Sequence, residues 1–161
     1  MKFKLTAFLF MLALFLTACD TAVTPKEHAS ELYSIALNAI MEKDESLNED
    51  MEFIAIDMSN FDEVNEKQKK SILDFFEEKY KVPVMDATFD ELKEKGYYNQ
   101  DTMVLDGVLL TVQTVYFNVK NNVFFNGSKY RSGKGAIGVE STVHYKDGNW
   151  RIKESKETWV S

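Results

Sequence analysis

The chain predicts an α+β fold, with N-terminal helices packed on one face of a curved, mainly antiparallel sheet. Three observations predict it. Apolar residues recur at helical spacing through the first half, behind three separate helix-start signals. From about Met103 onward, runs rich in valine, threonine and aromatic residues take over. Asp147-Gly148 then separates two such runs, which is a strong hairpin signal.

Residues 1–18 read as a targeting segment and stand apart from the fold. Lys2 and Lys4 form a charged start, and Leu5 to Leu16 is an apolar run short for a bilayer span. Leu16-Thr17-Ala18-Cys19 comes next and resembles the lipobox of bacterial lipoproteins. In that family the cysteine sulfur receives a diacylglycerol and the chain is cut just before it. The resemblance implies lipid attachment at Cys19 and a place on the outer face of the cytoplasmic membrane. Cys19 is also the only cysteine, so an internal disulfide is impossible. Residues 19–24 are then a lipid-anchored tether and 25–161 a single domain.

Thr24-Pro25-Lys26-Glu27 predicts a capped helix start, and Ala29, Leu32, Tyr33, Ala36 and Ile40 give its apolar face as far as about Met41. Glu42 to Glu52 reads as a solvated acidic loop. Met51 to Met58 reads as a buried strand. Asn65 and Gln68 open a second helix, continued by Ile72, Phe75, Phe76 and Lys79. Pro83 confines Val82 to Met85 to an edge. Thr88 and Glu91 cap a short helix that Gly96 ends. Asp106-Gly107 bends into Val108 to Lys120, whose alternation slips at Gln113 to Val115 and predicts a bulge. Asn121-Asn122 turns into Val123 to Phe125. After a glycine-rich stretch come Ile137 to Lys146 and a last strand ending at Trp159-Val160. The element order resembles the cystatin-like and NTF2-like cone folds, with one extra early strand.

Without residues 1–18, the chain holds 17 basic against 26 acidic side chains, a net charge of −9. That balance argues against nucleic acid and against broad adhesion to anionic lipid. The charge is uneven: residues 20–66 carry −11, whereas 118–161 carry +4. Either the two parts lie together and partly neutralise, or a basic face awaits an anionic ligand.

The chemistry-bearing residues form no catalytic set. His28 and His144 are the only histidines; His144 shares the polar side of its strand with Glu140, Thr142 and Lys146. A metal site needs more ligands than this. The acidic run at Glu42, Asp44, Glu45, Glu49 and Asp50 lacks the spacing of a calcium loop. No cofactor is implied.

"GSKYRSGKGAIG", residues 127–138, fails as a phosphate loop. Five residues separate Gly127 from Gly133-Lys134, Gly135 stands where a hydroxyl is needed, and no helix comes after it. Two readings remain for residues 127–135. Lys129, Tyr130, Arg131 and Lys134 could converge on a small anionic ligand, or the segment is only the turn between two strands.

Together "MDATFDELKEKG", "GSKYRSGKGAIG" and "YKDGNWRIKESKETWVS" resemble small extracytoplasmic lipoproteins of Gram-positive, Bacillus-like bacteria. Some of that group are labelled peptide-transporter substrate-binding components. Such receptors close two lobes about a hinge, and one domain cannot. The resemblance implies location and fold and transfers no catalytic residue. The expected function is a lipid-anchored, non-enzymatic binding or interaction module of the envelope, whose partner is an envelope protein or a small ligand. The alternatives are a small envelope hydrolase around His144 and Glu140, or an accessory subunit of an envelope or transport complex.

Overall fold

The structure, a computed structural model, describes residues 24–118 and 122–161. The expected targeting segment, Cys19 and the turn expected at Asn121 lie outside the described residues. The α+β class holds: helices pack on a mostly antiparallel open sheet.

The first helix, α1 (Ala29–Met41), begins later than its sequence predicts. Thr24 makes no side-chain cap, and Pro25–His28 form a turn of 3-10 helix before the α-helical hydrogen bonds start. The other two starts form as expected. Asn65 and Gln68 make a reciprocal capping box on α2 (Glu66–Tyr80), and Thr88 and Glu91 do so on α3 (Phe89–Glu94).

Among the described residues seven strands make one sheet: β1 (Ile54–Asp57), β2 (Val84–Asp86), β3 (Tyr98–Asn99), β4 (Val104–Asn118), β5 (Asn122–Ser132), β6 (Gly135–Lys146) and β7 (Asn149–Val160). Their order is β2-β1-β4-β5-β6-β7, with β3 beside β4. β1 runs parallel to both β2 and β4, because α2 carries the chain from β1 back to its neighbour. From β4 to β7 the sheet is an antiparallel meander. Asp106-Gly107 does not bend the chain into β4, since β4 runs through it with a shifted register. The predicted bulge is present between Val112 and Thr114. At the β6–β7 hairpin Asp147 and Gly148 both take positive φ, 54° and 84°, as a two-residue turn requires.

The two sides of the sheet are covered unequally. On the inner side α1 and α2 bury Leu32, Leu37, Ile40, Ile72 and Phe76 against Ile54, Ile56, Val108, Leu110, Val123, Ile137 and Val143. On the outer side α3 and the residue before its cap cover only the β1 end, packing Leu92 and Ala87 on Phe53, Ala55, Leu105 and Leu109. This explains the unbroken apolar run Phe53 to Ile56: β1 is covered on both faces. Beyond α3, the outer face of β4 to β7 has no helix over it among the described residues.

Candidate functional site

The open outer face is built by strand register. Thr111 to Phe117 of β4 would simply alternate, but the bulge at Gln113 brings Thr114 and Tyr116 outward. Across the sheet, Tyr116 pairs with Phe124, Phe124 with Thr142, and Thr142 with Glu154. The adjacent row runs Thr114, Asn126, Glu140 and Lys156. A second register shift, between the Thr142–Glu154 and Val143–Ile152 pairs, keeps Glu154 in line. The two rows enclose a shallow trough of about 370 Å³.

Its chemistry is divided by row. Tyr116 is 67% and Phe124 43% exposed, large values for rings that could have been buried. The second row presents an amide, a carboxylate and an ammonium. Lys156 Nζ lies 3.0 Å from Glu140 Oε2, and that hydrogen bond holds the ammonium pKa above its ordinary value. Both side chains are exposed, so the pair contributes little to stability and separates readily for a ligand. Further along the face the Trp159 indole lies over Gly138, where a Cβ would stand 2.0 Å from Nε1. Behind Tyr116 a second hollow of about 340 Å³ is lined by Tyr33, Asp62 and the bulge. Asn60 donates to the bulged Val112 carbonyl at 2.6 Å and closes its edge.

The residues singled out in 127–135 do not converge. Residues 127–132 belong to β5, so the segment is strand for most of its length and turns only at Gly133-Lys134. Strand alternation then sends Lys129 and Arg131 to the inner side and Tyr130 to the outer. Lys129 is fully buried. Its ammonium donates to the carbonyls of Met41 (3.1 Å), Lys43 (2.5 Å) and Asp44 (3.0 Å) and to Asn48 Oδ1 (2.9 Å). Burial pushes its pKa down to about 8, against the opposing pull of Asp44, Glu45 and Glu157. Arg131 donates to the carbonyls of Leu47 and Glu49. Tyr130 packs edge-on against Phe89 beneath α3, and burial raises its pKa to about 12. Lys134 stands exposed at the turn.

The acidic segment 42–52 is therefore not a free loop. Two cations of β5 hold its backbone, which includes a 3-10 turn at Glu45–Asn48. Glu42 meets Lys79 at 3.0 Å, and that hydrogen bond lowers its pKa.

Glu140 and His144 share the outer side of β6 but occupy different surroundings. Glu140 lines the trough; His144 lies past it, opposite Arg151. Burial, then Arg151, Lys153 and Lys146, push the His144 pKa below its ordinary value. Ser141 faces the core, away from His144. His28 lies on the inner side with its ring 6.1 Å from that of Trp150.

The trough residues Thr114, Tyr116, Phe124, Asn126, Glu154 and Lys156 escape sequence reasoning. The slip at Gln113 to Val115 signals that the outward set changes there. Which residues on three other strands stand opposite is not written locally.

No family model, no curated protein and no solved structure matches this chain.

Proposed function

We propose that the chain is a non-enzymatic binding module, held at the outer face of the cytoplasmic membrane by a lipid on Cys19, and that the trough on β4 to β7 is its binding surface. The observation that supports it is the registered pair Tyr116 and Phe124, exposed beside a row of polar groups. Rings that stand in solvent on an otherwise well-packed fold mark contact surfaces. The lining suits a saccharide chain lying along the rows. Flat rings accept the C–H faces of sugars, and Asn126, Glu140 and Glu154 offer planar groups to neighbouring hydroxyls. No cofactor enters this reading.

Titration with a β-1,4-linked N-acetylglucosamine tetramer, followed by amide NMR, tests it. Shifts should concentrate at 114–116, 124–126, 140–142 and 154–156, and disappear in the Tyr116→Ser, Phe124→Ser double variant. An unmoved trough at millimolar saccharide would sink the reading. A hydrolase built on His144 and Glu140 has less support, because cations rather than a carboxylate dominate the surroundings of His144.

A further inference from the structure

The end of the sheet nearest the tether carries a feature that saccharide binding leaves unused. α1 lies along the strands with its start at the β6–β7 hairpin and its end by Lys129. His28 stands beside Trp150, the second residue of β7, and Met41 reaches Lys129. The described chain begins at Thr24, one 3-10 turn before His28, and Lys26 in that turn lies over Phe117 near the end of β4, at the same end of the sheet. Only five peptide links separate Cys19 from Thr24, a reach of at most about 18 Å. A sheet and its covering helices differ in level by about 10 Å. The hairpin therefore lies within reach of the surface that holds the lipid.

The hairpin presents a basic surface there. His144 and Lys146 share one side of β6 by strand alternation, and Arg151 stands opposite His144 in the register of β7. Lys153 and Asp147 are close enough to act on the same imidazole, in opposite senses. Asp147 is the hairpin's carboxylate, and it is bridged to Arg151 at 2.6 Å. The carboxylates on the helix side of this end include Glu31, beside His28 at 3.2 Å, and Glu63, bridged to Lys26 at 2.6 Å. A chain with a net charge of −9 after residue 18 thus turns a local cluster of cations towards its tethered end.

We propose that the tip of the β6–β7 hairpin, with Lys146, Arg151 and Lys153 around His144, is the surface on which the anchored domain rests against anionic phospholipid headgroups. The acidity of the whole chain does not oppose this, because charges farther than a Debye length of about 8 Å are screened. Each cation near such a surface strengthens contact roughly fivefold; with Asp147 offsetting Arg151, the net two charges act on the order of 25-fold. Seated this way, the domain holds one end of its sheet to the membrane and leaves the far turn at Gly133-Lys134 pointing outward. The inference rests on the lipid anchor at Cys19.

Lipidated full-length protein in two kinds of vesicle provides the test, with pure phosphatidylcholine compared against a mixture containing phosphatidylglycerol. Amide hydrogen exchange at residues 146–151 should slow at least fivefold on the anionic vesicles. The protection should vanish in molar salt and in the Lys146→Glu, Arg151→Glu, Lys153→Glu variant. Equal exchange on both vesicles overturns the proposal, as does protection confined to the trough. The lipid and salt comparisons use the unaltered chain, so a variant that misfolds does not protect the idea. Protein that carries no lipid and floats with neither vesicle removes the anchor and this inference together. Anchored protein with an indifferent hairpin removes only the inference.

Discussion

Lys129 shows how one residue changes meaning between sequence and structure. In the chain it is one of three cations in a glycine-rich stretch, suited to an anion. Folded, it ends beneath the C-terminus of α1 and donates to the carbonyl of Met41, the last residue of the helix, and to those of Lys43 and Asp44 in the segment after it. Its removal takes a charged donor from each of these oxygens, although Asn48 still donates to Met41 and the Leu47 N–H to Asp44. Lys129→Met should lower unfolding free energy by about 1–3 kcal/mol, measured by chemical denaturation at pH 7. The pH dependence has a definite sign. Folding lowers the Lys129 pKa from 10.5 to about 8, so between these values the unfolded chain holds a proton that the folded chain has released. The Lys129 contribution to stability therefore rises with pH from about 8 to 10.5, and the Met variant should lose that rise. A flat difference between the two proteins across this window would contradict the buried ammonium.

At the scale of elements, local chemistry and pairing play separate parts. Asn65 with Gln68, and Thr88 with Glu91, are contained in four residues each, and both helices start where those residues say. The Thr24 signal has the same spacing and makes no cap, because the chain takes a 3-10 turn through Pro25–His28 first. The bulge at Gln113 was legible because apolar residues change side there; its consequence, a row of four side chains across four strands, was not. Gly138 supplies a check on that face. Its missing Cβ leaves room for the Trp159 indole to rest against β6. Gly138→Ala should lift the ring, making Trp159 emission more accessible to acrylamide, at a cost of roughly 1 kcal/mol. Unchanged quenching would mean that the indole does not rest there in solution.

For the whole molecule, the uneven charge of the chain resolves into contacts of two kinds. Lys129 and Arg131 hold the acidic 42–52 segment by its carbonyls and leave its carboxylates outward. Of the other described cations after residue 118, Lys156 lines the trough, Lys146, Arg151 and Lys153 lie towards the hairpin tip, and Lys134 stands at the opposite turn. The proposed anchor belongs to this scale too, since a lipid on Cys19 would set which end of the molecule meets the membrane. Labelled palmitate should enter the wild type and not Cys19→Ser; equal labelling of both would remove the lipoprotein reading.

By itself the sequence determined the α+β class, two capped helices, the β6–β7 turn and the bulge. Each depends on residues within a few positions of one another, where capping, φ preference and alternation act directly. The tertiary structure alone decided that residues 127–132 are strand, that Lys129 is buried, and that Tyr116 stands beside Phe124 and, two strands further on, Glu154. Those outcomes depend on strand register and on carbonyls more than eighty residues away along the chain, as Asp44 is from Lys129. A cation's partner is set by what the fold brings to it, and nothing in the neighbouring sequence encodes that.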